Sequence, residues 1–152
     1  METLKVLALG DVVGEPGRRA IKEIVPRLIR DEEIDFVIAN GENLAGGSGI
    51  TESTVLDLFT SGVDVMTSGD HIFRKKEGEA ILEKSRRVLK PANYPAGTPG
   101  FGSTVIESRK GVPIGVINLI GRVFLKTVNC PFEIASREIE KLRAETRLIF
   151  VD

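Results

Sequence analysis

Four short stretches of this chain share one pattern, an apolar run closed by glycine, an acid or both. They are LKVLALGD (4–11), DFVIANGEN (35–43), VDVMTSGDH (63–71) and RLIFVD (147–152). Runs this short and this rich in Val, Ile and Leu predict strands buried on both faces. Between the first three the periodicity changes. In RRAIKEIVPRLIRDEE, residues Ile21, Ile24, Val25, Leu28 and Ile29 form one helical stripe. Pro26 inside it is expected to kink that helix or split it. TESTVLDLFTSG predicts a helix capped by Thr51, buried through Val55, Leu58 and Phe59, and stopped at Gly62. Strand–helix–strand alternation at this spacing implies right-handed crossovers and a largely parallel sheet.

The second half is less regular. KKEGEAILEKS predicts a helix weakened by Gly78, and RRVLKPANYPAGTPGFG is dense in Pro and Gly and reads as a loop with little regular pairing. STVIESRKGVPIGVINLIG predicts an antiparallel hairpin turning near Lys110 and Gly111, and CPFEIASREIEKLRAE a last amphipathic helix. No linker divides the chain, so residues 1–152 are expected to form a single domain. The final RLIFVD has two readings, a terminal strand or the front part of a longer protein, which would leave the domain C-terminally incomplete. An exposed edge there would favour homo-oligomers or aggregation.

Composition narrows the function classes. Hydrophobic residues make up 41% and charged residues 28% of the 152 residues, with a formal net charge of -1. No uniform positive field draws the chain to nucleic acid or an anionic membrane, so phosphate binding would have to come from a local site. The single cysteine, Cys130, forms no disulfide within the chain, which suits a reducing, cytoplasmic setting, and is expected to be inert. The acidic start, broken at Gly10-Asp11, reads as a first strand and not an export signal.

In an open parallel sheet, ligands gather beyond the carboxyl ends of the strands. Three strand ends here would bring Asp11, Glu42, Asn43, Asp70 and His71 to one rim. Carboxylates converging without basic partners repel each other, and a bound cation removes that cost. Oxygen donors plus one imidazole suit a hard or borderline ion such as manganese or iron. Each piece alone also fits a turn, a helix cap or an exposed side chain; the coincidence at three strand ends favours a site. The glycines of GDVVGEPGRR match neither the dinucleotide fingerprint nor a P-loop. In AGGSG (45–49), Gly46 and Gly47 could cradle a phosphate through backbone N–H groups or simply form a tight turn. Asn93 and Tyr94, in the rigid PANYP segment, could contact a base or ribose, or be structural. Phe73 is expected to pack under His71.

The segments GDVVGEPGRRA, DFVIANGENLAGGSGIT, GVDVMTSGDHIF, LKPANYPAGTPGFGS, NLIGRVF and NCPFEIA, spread over nearly the whole chain, resemble the YmdB-type branch of the calcineurin-like metallophosphoesterases. The resemblance implies an αββα sandwich, largely parallel with an added antiparallel hairpin. It implies a cytoplasmic phosphodiesterase with two divalent or trivalent metal ions, iron and/or manganese, acting on cyclic nucleotides, the 2',3'-cyclic ones foremost. It implies Asp11 as ligand of one metal, Glu42 as the bridge, Asn43 and Asp70 on the second metal, and His71 as catalytic proton donor. Hydrolysis would then run by attack of metal-activated hydroxide on phosphorus. The small-molecule cyclic nucleotide would be the partner, with no stable nucleic-acid complex and no membrane.

Two departures from the family pattern stand out. The family usually has asparagine where this chain has Asp70; the extra negative charge is expected to tighten metal binding. The family continues past a strand like RLIFVD into further histidine ligands, whereas His71 is the only histidine here. The alternative is therefore a non-catalytic phosphate- or nucleotide-binding module, or a regulatory protein.

Overall fold

The computed structural model describes residues 3–125 and 128–152. Ten elements follow in order: β1 (Val6–Asp11), α1 (Gly14–Asp31), β2 (Phe36–Asn40), α2 (Glu52–Thr60), β3 (Val65–Thr67), α3 (Lys76–Lys84), β4 (Ser103–Glu107), β5 (Pro113–Ile117), α4 (Pro131–Leu142) and β6 (Leu148–Val151). They build a mixed α/β structure with two three-stranded sheets. The first, in the order β1-β2-β3, is entirely parallel; the second, β4-β5-β6, pairs β4 with β5 antiparallel and β5 with β6 parallel.

Strand β2 shows how the sheets are layered. Its alternate residues Val37 and Ala39 pack with the α1 residues Ile21 and Val25 and the α2 residues Val55 and Leu58. The intervening Phe36 and Ile38 pack instead with Ile114 and Val116 of β5, so the two sheets share a second core. This is the continuous apolar run expected of a strand covered on both faces.

The same expectation fails for β1 and β6. Each is an edge of its sheet, and Val6, Leu148 and Val151 are 42%, 45% and 44% exposed. Apolar composition alone does not distinguish a central strand from an edge; the pairing order decides it. Pro26 does not split α1, which runs unbroken for 18 residues. Burial of Ile21 and Val25 against the sheet holds the turns on both sides of the missing N–H.

Helix α2 starts as its sequence predicts. Thr51 accepts from the Thr54 N–H at 3.4 Å while the Thr54 hydroxyl accepts from the Thr51 N–H at 3.0 Å, a reciprocal cap. In α3, Gly78 is more than a weak point. A Cβ there would lie 2.4 Å from the Ile72 carbonyl oxygen, so glycine is what lets α3 approach the loop that follows β3. The 86–102 segment is largely irregular, as expected, but it ties the sheets together. Met66 bridges to Val88, and Leu89 to Phe101. Among the described residues no helix is long and apolar enough to cross a membrane.

Candidate active site

The carboxyl ends of β1, β2 and β3 lie side by side, and each delivers the residues anticipated from its sequence. On β1 the delivery depends on a bulge. Leu9 pairs with Ala39 and Asp11 with Asn40, so Gly10 is an extra residue on one strand. Strict alternation would send Asp11 into the core with Leu7 and Leu9; the inserted residue interrupts that alternation, the usual effect of a bulge beside a site. The Asp11 carboxylate accepts a hydrogen bond from the Asn43 amide at 2.8 Å.

Asn43 is buried, 8% exposed, and its carbonyl oxygen lies 2.6 Å from His71 Nδ1. Because Asn43 gives its amide hydrogen to Asp11, its oxygen must accept, and His71 Nδ1 must carry the proton. The nitrogen left without a hydrogen-bond partner in this set is therefore Nε2. It lies 3.7 Å from Asp70 Oδ2, beyond hydrogen-bond range, and is free to face a ligand. Glu42 joins from the other side, with Oε2 accepting the His71 backbone N–H at 2.9 Å. One connected set thus runs Asp11–Asn43–His71–Glu42 across three strand ends, with Asp70 beside it.

Three residues that periodicity did not single out shape this set. Asn40 Oδ1 accepts the Glu42 N–H at 3.2 Å. Asn118, 1% exposed, donates to the carbonyls of Ser68 at 2.8 Å and Leu89 at 3.0 Å, pinning the β3 end to the second sheet. Gly69 leaves room for Glu42, since a Cβ there would lie 2.6 Å from both carboxylate oxygens. The available signal was a polar residue in an apolar run, VINLI, and a glycine just before the acid.

The weaker candidates divide. Tyr94 lies within electrostatic reach of the rim acids: burial pushes its phenol pKa up, and the Asp70 and Glu42 carboxylates push it further. Asn93 does not present a free group. It is fully buried, its amide donates to the carbonyls of Ile120 at 2.8 Å and Asn129 at 3.1 Å, and its oxygen accepts the Ile120 N–H at 2.9 Å. Asn93→Ala is accordingly expected to cost about 1–3 kcal/mol of stability, read by urea unfolding, because it strands buried backbone groups. Gly47 gives its N–H to the Asn43 carbonyl at 3.2 Å, whereas Gly46 is exposed. Phe73 is 37% exposed and meets Tyr94 edge-on, with ring centres 5.9 Å apart. Cys130, half-buried, stands at the N-cap of α4, where the Glu133 backbone N–H draws its thiol pKa down and burial opposes it.

As a donor set, Asp11, Glu42, Asn43 and Asp70 suit a hard or borderline cation. Among the described residues none of the three acids pairs with Lys or Arg. The Asn43 oxygen keeps a second lone pair beyond the one given to His71. The described residues do not form a closed cage, for no three His, Cys, Asp or Glu side chains gather around one point. Asn43 stands between Asp11 and His71, and hydrogen bonds hold the rim together.

Against known proteins, the family model for YmdB-like proteins matches residues 7–152. The chain belongs to the YmdB-like family. A YmdB-like relative, the 2',3'-cyclic-nucleotide 2'-phosphodiesterase of Bacillus subtilis, is 42% identical over 149 residues, covering 98% of this chain and 56% of that protein. Two crystal structures share the YmdB-like fold. A phosphatase from Mycoplasma pneumoniae superposes with a TM-score of 0.87 at 31% identity, covering 100% of this chain and 55% of its own. A hypothetical protein from Thermus thermophilus gives 0.84 at 36% identity, covering 96% and 56%. The chain thus spans about half the length of the relatives it matches.

Proposed function

We propose that this chain is a metal-dependent phosphodiesterase of the αββα metallophosphoesterase class, hydrolysing 2',3'-cyclic nucleotides. The observation that carries the reading is the connected set Asp11–Asn43–His71–Glu42 at the rim of the parallel sheet. Membership of a family whose Bacillus subtilis representative is named for that reaction supports it.

In this reading Asp11, Glu42, Asn43 and Asp70 would hold two cations, iron and/or manganese. Such cations neutralise phosphoryl oxygens and acidify water. The chain's own residues supply the rest. His71, with Nδ1–H committed to Asn43, presents Nε2 to the departing ribose oxygen and gives it a proton. The Glu42 carboxylate, bonded to the His71 backbone, fixes the height of the imidazole above the rim. Tyr94, packed edge-on against Phe73, walls the side where the nucleoside would lie.

The test is hydrolysis of 2',3'-cyclic AMP by the full chain after loading with manganese or iron, with metal counted per chain. About two ions per chain with turnover abolished by chelation is the expected result. Metal-loaded protein without diesterase turnover overturns it. One observation favours a second reading, a phosphate- or nucleotide-binding module: the open ligand set among the described residues. Nucleotide bound in chelator, with no ion retained, would select that module.

A further inference from the structure

Away from the rim, α4 and the 86–103 segment enclose a cleft of about 250 Å³ whose lining is mainly polar. Lys90 lines it and is 7% exposed, yet among the described residues its ammonium makes neither a hydrogen bond nor an ion pair. The ammonium is not sealed off: among the described residues the one fully buried side-chain N or O atom without a partner is Thr67 Oγ1, so the Lys90 Nζ opens onto the cleft with no protein counter-charge bound to it. The one acid in the lining, Glu138, is engaged elsewhere: its Oε2 accepts from the Ser103 hydroxyl and from Lys141 at 3.4 Å. A second cation, Arg86, stacks over the Phe101 ring, its guanidinium carbon 4.2 Å from the ring centre. Stacking uses the guanidinium's face and leaves its N–H edge for a ligand.

We infer that this cleft is a binding site for a small phosphate dianion, either inorganic phosphate or the head of a phosphate monoester. Arg86, Lys90 and Lys141 set three positive charges against Glu138, so the lining has a surplus of two. A dianion matches that surplus. It would give Lys90 the partner it lacks and meet Arg86 through two N–H groups. Burial already draws the Lys90 pKa down, with Glu138 only partly opposing it, which is the behaviour of an ammonium in want of a counter-charge. None of these side chains belongs to the rim set.

The experiment is calorimetric titration of the full chain with inorganic phosphate in the presence of EDTA, so that any metal-dependent binding at the rim is removed. Saturable binding is expected, weakened about 10- to 100-fold in Lys90→Met, the range for a lost charge-assisted hydrogen bond. Arg86→Gln, at an exposed position, should weaken it as well and carries the test if Lys90→Met does not fold. Titration with ribose 5-phosphate separates the sources: tighter binding than phosphate assigns a monoester, equal binding assigns the free anion. Absence of saturable binding of both, or affinity unchanged in both variants, overturns the inference.

Discussion

His71→Ala is expected to lower turnover of 2',3'-cyclic AMP by about 10²–10⁴-fold, the usual worth of a positioned general acid. The loss should be far smaller on bis-nitrophenyl phosphate. The reason lies in the leaving groups: a ribose oxygen departs as a poor, basic alkoxide unless it receives a proton, whereas nitrophenolate departs unaided. The geometry assigns this duty to one atom. Asn43 uses its amide hydrogen on Asp11 at 2.8 Å and its oxygen on His71 Nδ1 at 2.6 Å, so only Nε2 can exchange a proton with a substrate. The side chain is 36% exposed, open enough to meet a nucleotide. Metal content of the variant should match the parent, since the imidazole is not among the proposed ligands. Equal losses on both substrates would show that His71 serves binding or structure and would remove it from the proton-transfer step.

How much of this was legible beforehand follows from which interactions are local. The helical stripes and caps are local, and α2 and its Thr51 cap appear where the residue pattern places them. Adjacent parallel strands also follow from strand–helix–strand spacing, which is why Asp11, Glu42, Asn43, Asp70 and His71 could be assigned to one rim. What stayed hidden depends on pairing between distant segments. Nothing in LKVLALGD marks Gly10 as a bulge; that appears only in the register with β2. The exposure of β1 and β6 likewise follows from their place at the sheet edges. Asn93 was open to a ligand-contacting or a structural role, and Asn118 was not singled out. Their partners lie 25 or more residues away, at separations of 27, 36, 50 and 29, so only the folded chain shows that both are scaffold. The cleft around Lys90 was invisible for the same reason, because Glu138 and Lys141 reach it from α4.

Gly69→Ala should cost activity on the order of 10²-fold while leaving the fold intact. The added Cβ would sit 2.6 Å from Oε1 and Oε2 of Glu42 and 2.8 Å from its Cδ, well inside van der Waals contact, so one partner has to move. The backbone at this point is poorly placed to yield. Ser68, next to Gly69, is pinned by its hydroxyl to the Leu89 carbonyl at 2.7 Å, and its own carbonyl is held by buried Asn118 at 2.8 Å. The Glu42 carboxylate is the end of a flexible side chain, and it gives way first. Moving it releases the His71 N–H it accepts at 2.9 Å and displaces a proposed metal ligand by about 1 Å, a misplacement that typically costs on the order of 10²-fold. Because the displaced group is polar and partly exposed and no core residue is touched, the thermal midpoint should stay close to the parent's. Gly121→Ala is the matched control, since its Cβ would meet nothing within 4 Å. Metal content should fall with turnover in Gly69→Ala alone. If turnover and metal content both stayed at parental levels, the Glu42 carboxylate would not be held where the chemistry needs it, and its role as a metal ligand would be lost with that result.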